Sequence, residues 1–374
     1  MRIIHVIPNL ELGGAERLLV SLALAQHEGN HSVEVFTLLN AGRQKSILEV
    51  AGISVREFGL ELGLAHKLKA LFSLRSALRT SDADIVHAWM YHAGLLASLF
   101  VRDKSRVIMA IHHTNPFDTG LSFLTRVIAG GCLIASRVCG AVVYVAAASK
   151  FAHERAGFSR SQGSIVMVGA DNSKMEPASG AARALARSSW ALAQDAIVVA
   201  HVARFHPDKD QETLLEAFFL AVKKFPAMHL LLVGRGLEQS NMELVGLTKR
   251  LGIQNEVSLV GELDSPLEAF HASDIFCLSS RTEAFPVSLV ESLQCGLTPV
   301  VTDVGACRAV AGKVGFVAPP MSAQGLSEAL CAAAGSTTWP ADPAIRTQGL
   351  QYGLSRMCGE YQALYETTLK ASRL

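Results

Sequence analysis

The 374-residue chain is half apolar, with only 6% aromatic and 18% charged residues and a net charge of +1. That length suits two domains of roughly 100 to 200 residues, and an interior of mostly Ala, Leu and Val fits helices on parallel strands rather than a β-sandwich. The modest charge, without interleaved aromatic and basic residues, excludes a nucleic-acid binder.

Strand-length apolar runs alternate with helical periodicity from the start. In the first half the pattern predicts strands over Ile3–Ile7, Val33–Leu38, Ser54–Phe58, Ile85–Ala88, Val107–Ile111, Ala141–Val145 and Ile165–Val168. Between them it predicts helices over Ala15–Gln26, Gln44–Ala51, His66–Arg79, His92–Phe100, Leu121–Arg137 and Lys150–Ala156. In the second half strands fall at Ile197–Ala203, His229–Val233, Val257–Val260, Ile275–Leu278, Pro299–Val301 and Gly315–Val317, each followed by a helix. Both halves thus read as α/β units with parallel sheets. The stretch GADNSKMEPASGAARALARSS loses strand character and marks a domain boundary near residue 170. A ligand cleft is expected there, with the chemistry in loops that follow strands.

The seven cysteines are odd in number and form no C-x-x-C pair, so they read as reduced core thiols of a cytoplasmic protein. The opening MRIIHVIPNLELGG reads as a strand and turn rather than a signal peptide. The longest apolar stretch, residues 121–148, is broken by Arg126, Gly130, Gly131 and Arg137, which leaves no run of about 20 apolar residues to span a bilayer. Residues 1–170 hold 17 Lys and Arg against 12 Asp and Glu, and residues 171–374 hold 17 against 21. A basic first half suits an anionic lipid surface or a phosphorylated acceptor.

The post-strand loops carry the candidate chemistry. Gly13 and Gly14 precede a helix and free its amides to approach a phosphate or sugar oxygen, although the spacing is not that of a dinucleotide fingerprint; the alternative is a plain turn. In IMAIHHTNP, His112 or His113 meets the expected cleft, where an imidazole of near-neutral pKa can share a proton or bond a sugar hydroxyl; the alternative is a structural loop-end histidine. In ARFHPDKD, Arg204 and Lys209 offer two cations for a leaving diphosphate without a metal ion, unless Lys209 simply pairs with Asp208 and Asp210. The D-x-D strings at Asp82/Asp84 and Asp208/Asp210 sit at a strand start and a helix cap and are not expected to bind metal.

The stretch SSRTEAFPVSLVESLQCG joins these features. Pro286 is expected as the first helical residue and Gly296 as the glycine just past the helix end. The loop Ala284–Phe285–Pro286–Val287 would aim amides and the positive helix end at a diphosphate. Glu291 would take a vicinal diol such as a ribose, and Glu283 sugar hydroxyls or charge developing on the anomeric carbon.

Taken in order, GGAE, IHH, ARFHPDKD, LVGRG, SSRTEAFPVSLVES, TDVG and a terminal helix LSRMCGEYQALYETT resemble glycosyltransferase family 4 over nearly the full length. The resemblance implies two facing Rossmann-like domains (the GT-B fold). The first, 1–170, would bind the acceptor and be completed by a helix near 352–374, and the second, 171–351, would bind the donor. It also implies retaining, metal-independent transfer of a hexose-type sugar from a nucleotide diphosphate sugar, UDP favoured, with no other cofactor. The acceptor would be a glycan or lipid-linked acceptor of lipopolysaccharide, O-antigen or exopolysaccharide assembly.

Carried over residue by residue, Arg204 and Lys209 would bind the diphosphate, Glu291 the ribose, Glu283 the sugar, and His112 would be the active-site histidine. Gly13, Gly14, Gly234, Ala284, Phe285, Pro286 and Val287 would line the donor. Two departures stand out: Ala284 replaces the usual glycine, and the hinge commonly PNGVD is here VGADNSK. The helix His66–Arg79, with Leu68, Leu71, Phe72 and Leu78 among Lys67, Lys69, Arg75 and Arg79, is a candidate for contact with the inner face of the cytoplasmic membrane, unless its apolar side packs on the sheet. The rival readings are a nucleotide-sugar epimerase and a non-catalytic nucleotide-sugar-binding protein.

Overall fold

The structure, a computed structural model, describes residues 1–11, 13–117, 121–171 and 175–372. The chain forms two compact units, Met1–Gly169 with Leu354–Leu374, and Ala170–Gly353. Residues 172–174 of the expected hinge lie outside the described residues.

The first unit has strands β1 (Arg2–Ile7), β2 (Ser32–Thr37), β3 (Ser54–Glu57), β4 (Ile85–Trp89), β5 (Val107–Ile111), β6 (Ala141–Tyr144) and β7 (Gly163–Ile165). They form one parallel sheet in the order β3-β2-β1-β4-β5-β6-β7. Its helices are α1 (Gly14–Glu28), α2 (Lys45–Val50), α3 (Leu64–Thr80), α4 (Met90–Phe100), α5 (Phe123–Ala135) and α6 (Ala147–Ala156). The second unit has α7 (Gly180–Ser189), then β8 (Ile197–Val202), α8 (Gln211–Val222), β9 (Met228–Val233), α9 (Met242–Leu251), β10 (Val257–Gly261), α10 (Leu267–Ala272), β11 (Ile275–Leu278), α11 (Val287–Gln294), β12 (Thr298–Thr302), α12 (Cys307–Ala311), β13 (Phe316–Ala318), α13 (Ala323–Ser336) and α14 (Pro343–Leu350). Its parallel sheet runs β10-β9-β8-β11-β12-β13. The terminal helix α15 (Leu354–Ser372) belongs to the first unit, where Arg356 Nη2 donates to the Met167 carbonyl at 3.0 Å.

Helices cover both faces of a parallel sheet, so its central strands are buried from end to end: every residue of β4, β5 and β11 is buried, and all but His87 of β4 are apolar. In each sheet the strand order reverses once, between β1 and β4 and between β8 and β11, and the loops after those strands splay apart there to leave room for a ligand. Two expectations are corrected in detail. The apolar run Ile165–Val168 contributes only its first residue to the edge strand β7. Pro286 is the N-cap of α11 rather than its first helical residue, because its ψ of 85° is not helical. Gly296 follows the end of α11 with φ +85°, a conformation open to glycine.

Helix α3 packs Ala70, Leu74 and Leu78 into the core, which fills most of its apolar side, and leaves Leu68 and Phe72 exposed beside Lys67, Lys69, Arg75 and Arg79. Among the described residues no helix is long and apolar enough to cross a membrane.

Several histidines are buried in these cores. Burial lowers the pKa of His5, His153 and His201 to about 4, against an unfolded value near 6.5. The folded state therefore binds fewer protons than the unfolded chain. Stability is whole above pH 6.5 and declines toward pH 4, each such group removing up to about 1.4 kcal/mol per pH unit. Urea unfolding midpoints should fall steadily from pH 6.5 to 5, a range in which ordinary carboxylates stay ionised; a flat midpoint there would contradict the buried, neutral state of these rings.

Candidate functional site

In the second unit the chain leaves β8 through Ala203, Arg204 and Phe205. Gly234, at the end of β9 with φ +138°, lies so close that a Cβ there would stand 2.0 Å from the Ala203 carbonyl oxygen. The glycine thus lets the two strand ends run together: Ala203 N donates to Val233 O at 3.0 Å and Phe205 N to Arg235 O at 2.8 Å. Gln211 Nε2 donates to the Arg204 carbonyl at 3.0 Å and faces His201 Nε2 at 3.2 Å. The Arg204 side chain is exposed and makes no hydrogen bond or ion pair with the described residues.

Lys209 behaves differently from Arg204. Its ammonium is paired with the Glu283 carboxylate, both side chains largely buried, and Ser280 Oγ reaches the same carboxylate oxygen at 3.5 Å. The neighbouring acids are occupied elsewhere. Asp210 accepts from Arg281 Nη2 at 2.7 Å and Thr213 Oγ1 at 2.8 Å, and Asp208 pairs with His206 at 3.2 Å. The alternative partners weighed for Lys209 are thereby excluded. Asp210 itself has φ +51°, a left-handed conformation costly for a non-glycine residue, and the bonds to its carboxylate hold it there.

Between β11 and α11 the loop is fixed from behind. Thr302 Oγ1 donates to the Ser280 carbonyl at 2.7 Å, and Gly305, φ +52°, lies where a Cβ would be 1.5 Å from the Glu283 carbonyl oxygen. Phe285 is buried edge-on against Tyr352. The amides of Ala284, Phe285, Val287 and Ser288 donate to none of the described residues, while the Pro286 carbonyl accepts from Leu289 N at 3.1 Å. Ala284 is not among the residues with positive φ, so its methyl in place of the usual glycine costs no backbone strain. Glu291 is half-buried in the second turn of α11. The β8 and β11 loops therefore offer one free guanidinium, one paired ammonium and four amides at a helix N-terminus, a set suited to a diphosphate.

In the first unit Gly13 caps α1 and Gly14 opens it. The Glu16 carboxylate folds back so that a Cβ on Gly13 would meet it at 2.0 Å, whereas Gly14 has open space. His112 follows β5 with its ring stacked on Trp89, centroids 5.3 Å apart and planes 22° apart. Burial pushes its pKa down to about 3, with the neighbouring His113 adding to the shift. The expectation of a near-neutral pKa is corrected: His112 is a neutral imidazole at working pH, fit to bond a hydroxyl but not to act as a cation. Its Nε2 is buried with no partner among the described residues. His113 stacks on Tyr91 at 5.0 Å, and its carbonyl accepts from Ser149 Oγ at 2.6 Å.

Sequence reasoning missed Trp89, on which His112 stacks, and His5, His87 and Tyr365, which are linked to Trp89 by hydrogen bonds and ring contacts. The signal was present as histidines inside apolar strands (IIHVI, IVHAW), because buried imidazoles must find partners. Asp84 and Asp82 both bind Arg2 at the strand starts. Among the described residues no group of three or more His, Cys, Asp or Glu gathers as metal ligands would.

The model of Glycosyltransferase Family 4 matches residues 12–173, and that of Glycosyl transferases group 1 matches residues 183–333. A D-inositol 3-phosphate glycosyltransferase of Actinosynnema mirum is 27% identical over 326 residues, 79% of this chain and 77% of its own. Among solved structures, Anabaena HepE in complex with UDP and glucose matches with TM-score 0.84 at 21% identity, covering 98% of this chain and 100% of that one. WaaG, a glycosyltransferase involved in lipopolysaccharide biosynthesis, matches with TM-score 0.69 at 15% identity, covering 100% and 98%. With one model on each half, a parallel α/β sheet in each unit and the fold of GT-B glycosyltransferases over the chain, it belongs to the family 4 type of glycosyltransferases and is a transferase enzyme.

Proposed function

We propose that this enzyme is a retaining, metal-independent hexosyltransferase that moves a sugar from a nucleotide diphosphate sugar, UDP-sugars first, to a glycan or lipid-linked acceptor of surface polysaccharide or lipopolysaccharide assembly. One observation carries the reading: the loop after β8 holds a free Arg204 and a Lys209 paired with Glu283 of the β11 loop, whose amides before α11 are open. The diphosphate would take Arg204 and the amides, and would draw Lys209 from Glu283. Glu283 is then released to the sugar hydroxyls or to the charge that grows on the anomeric carbon, and Glu291 takes the ribose diol. As the glycosidic bond breaks, the two cations and the amides stabilise the leaving diphosphate. A donor phosphate oxygen accepts the proton of the attacking hydroxyl on the same face, so configuration is retained without a protein nucleophile. His112, neutral, bonds a sugar hydroxyl. The HepE complex with UDP and glucose supports UDP-glucose as the first donor to try.

Helix α5 supports an acceptor held in a membrane. Phe123, Leu124, Val127 and Ile134, with Val138 beyond its end, are 77, 63, 54, 67 and 57% exposed. Between positions 118 and 154 the sequence has no Asp or Glu, while Arg126, Arg137 and Lys150 are present. Exposed apolar side chains with cations and no acids suit an anionic lipid surface, and α5 offers more apolar area for it than α3.

Incubation with UDP-, GDP- and ADP-sugars should release nucleotide only when acceptor lipid extract is present, with no loss in a chelator. An isomerised donor without acceptor would favour an epimerase, and binding without product a non-catalytic binder. Replacing Arg204 and Lys209 together by Ala should lower kcat by about a hundredfold or more; unchanged turnover would overturn the proposal. Glu283→Gln should act with opposite signs, tightening UDP about fivefold, as for loss of a competing ion pair of about 1 kcal/mol, while slowing transfer. Phe123→Ser with Leu124→Ser should reduce cosedimentation with anionic vesicles and leave UDP affinity intact; full cosedimentation of that variant would remove α5 from the membrane contact.

A further inference from the structure

We propose that Tyr365, on the C-terminal helix α15, is a positioning residue for His112, acting through Gln26, His5 and Trp89. The His112 imidazole has no hydrogen bond from Nε2, so the plane of its ring follows the Trp89 indole on which it stacks. That indole is itself held by one polar contact, Trp89 Nε1 donating to His5 Nδ1 at 3.1 Å.

The direction of every further bond follows from this one. An indole N–H only donates, so His5 Nδ1 carries a lone pair and the proton of the neutral ring sits on Nε2. That Nε2–H donates to Gln26 Oε1 at 2.8 Å. With its oxygen committed to His5, Gln26 turns its amide nitrogen to the Tyr365 hydroxyl at 3.2 Å. The hydroxyl, having accepted, donates to His87 Nδ1 at 2.8 Å. Trp89, His5, His87 and Tyr365 have no exposed surface and Gln26 is 7% exposed, so water cannot replace a missing member. Met90, directly after Trp89, has φ +70°, a left-handed conformation unfavourable for methionine. The indole is therefore placed against local backbone preference and depends on its contacts to stay there.

Without the Tyr365 hydroxyl, the Gln26 amide N–H is left buried with no acceptor. Gln26 then shifts to satisfy it, its hold on His5 loosens, and the Trp89 indole moves with His112 upon it. This proposal deepens the reading of His112 as a group on the substrate and rests on it; the test separates the two.

Tyr365→Phe is compared with Tyr361→Phe, a buried neighbour on the same helix whose hydroxyl bonds to none of the described residues, by imidazole and indole ¹⁵N NMR and by steady-state kinetics with UDP-glucose and lipid extract. In the wild type and in Tyr361→Phe, His5 should show the Nε2-protonated tautomer. In Tyr365→Phe the His5 Nε2 and Trp89 Nε1–H resonances should shift, and kcat should fall about tenfold or more with donor KM unchanged, within the roughly hundredfold that a misplacement of about 1 Å produces. A folded Tyr365→Phe with the His5 and Trp89 resonances unaltered overturns the relay. Altered resonances with full kcat overturn the role given to His112, and its positioning with it. Should Tyr365→Phe fail to fold, Gln26→Met cuts the same relay one link nearer and is read in the same way.

Discussion

The ion pair of Lys209 and Glu283 is the contact on which the second unit's loops converge. Their residues are 74 positions apart, yet β8 and β11 are neighbours in the sheet, so the loops after both open at the same place. Each charge is largely out of water, and either alone would be costly there, so each loop constrains the other. The surroundings serve that meeting: Gly234 and Gly305 remove side-chain atoms that would hold the loops apart, and Arg281 and Thr213 keep Asp210 in the backbone conformation that precedes α8. On the proposed reading, affinity for an anion and readiness of the carboxylate would be one quantity, because an incoming phosphate would displace one partner to free the other.

The two units present contrasting electrostatics. Around β8 and β11 the groups are charged or dipolar and partly open. Around β4 and β5 they are aromatic rings and imidazoles that burial keeps neutral. Charge is concentrated where a diphosphate would depart, while the group assigned to the sugar carries none that could attract an anion to the wrong place.

The alternation of strands and helices was legible because strands covered on both faces are apolar from end to end. Predicted strand ends differ from the observed ones by at most one residue elsewhere, but β7 was misplaced: the run Ile165–Val168 is apolar through burial beyond the sheet, while pairing with β6 spans only Gly163–Ile165. The site was legible as a set of residue types in post-strand loops, not as a set of contacts. Lys209 has acids on both sides in sequence, and nothing in the chain says that its partner is the distant Glu283. The neutrality of His112 was equally hidden, since it comes first from burial in the folded unit, to which the adjacent His113 only adds. The histidines inside β1 and β4 asked a question that sequence leaves open, namely which hydroxyl or amide they face; the answer, Tyr365 by way of Gln26, lies 278 residues from His87.

That α15 belongs to the first unit has a consequence for the order in which the protein is made. The sheet of that unit is complete once β7 has left the ribosome, but Tyr361 and Tyr365 follow only after the whole of Ala170–Gly353. At roughly 5 to 20 residues per second the delay is on the order of 10 to 40 seconds. For that interval the nascent first unit holds His87 and Gln26 without the hydroxyl that satisfies them and bares the apolar ground on which the last helix will settle, which makes it the stage of biogenesis most exposed to chaperones and to aggregation.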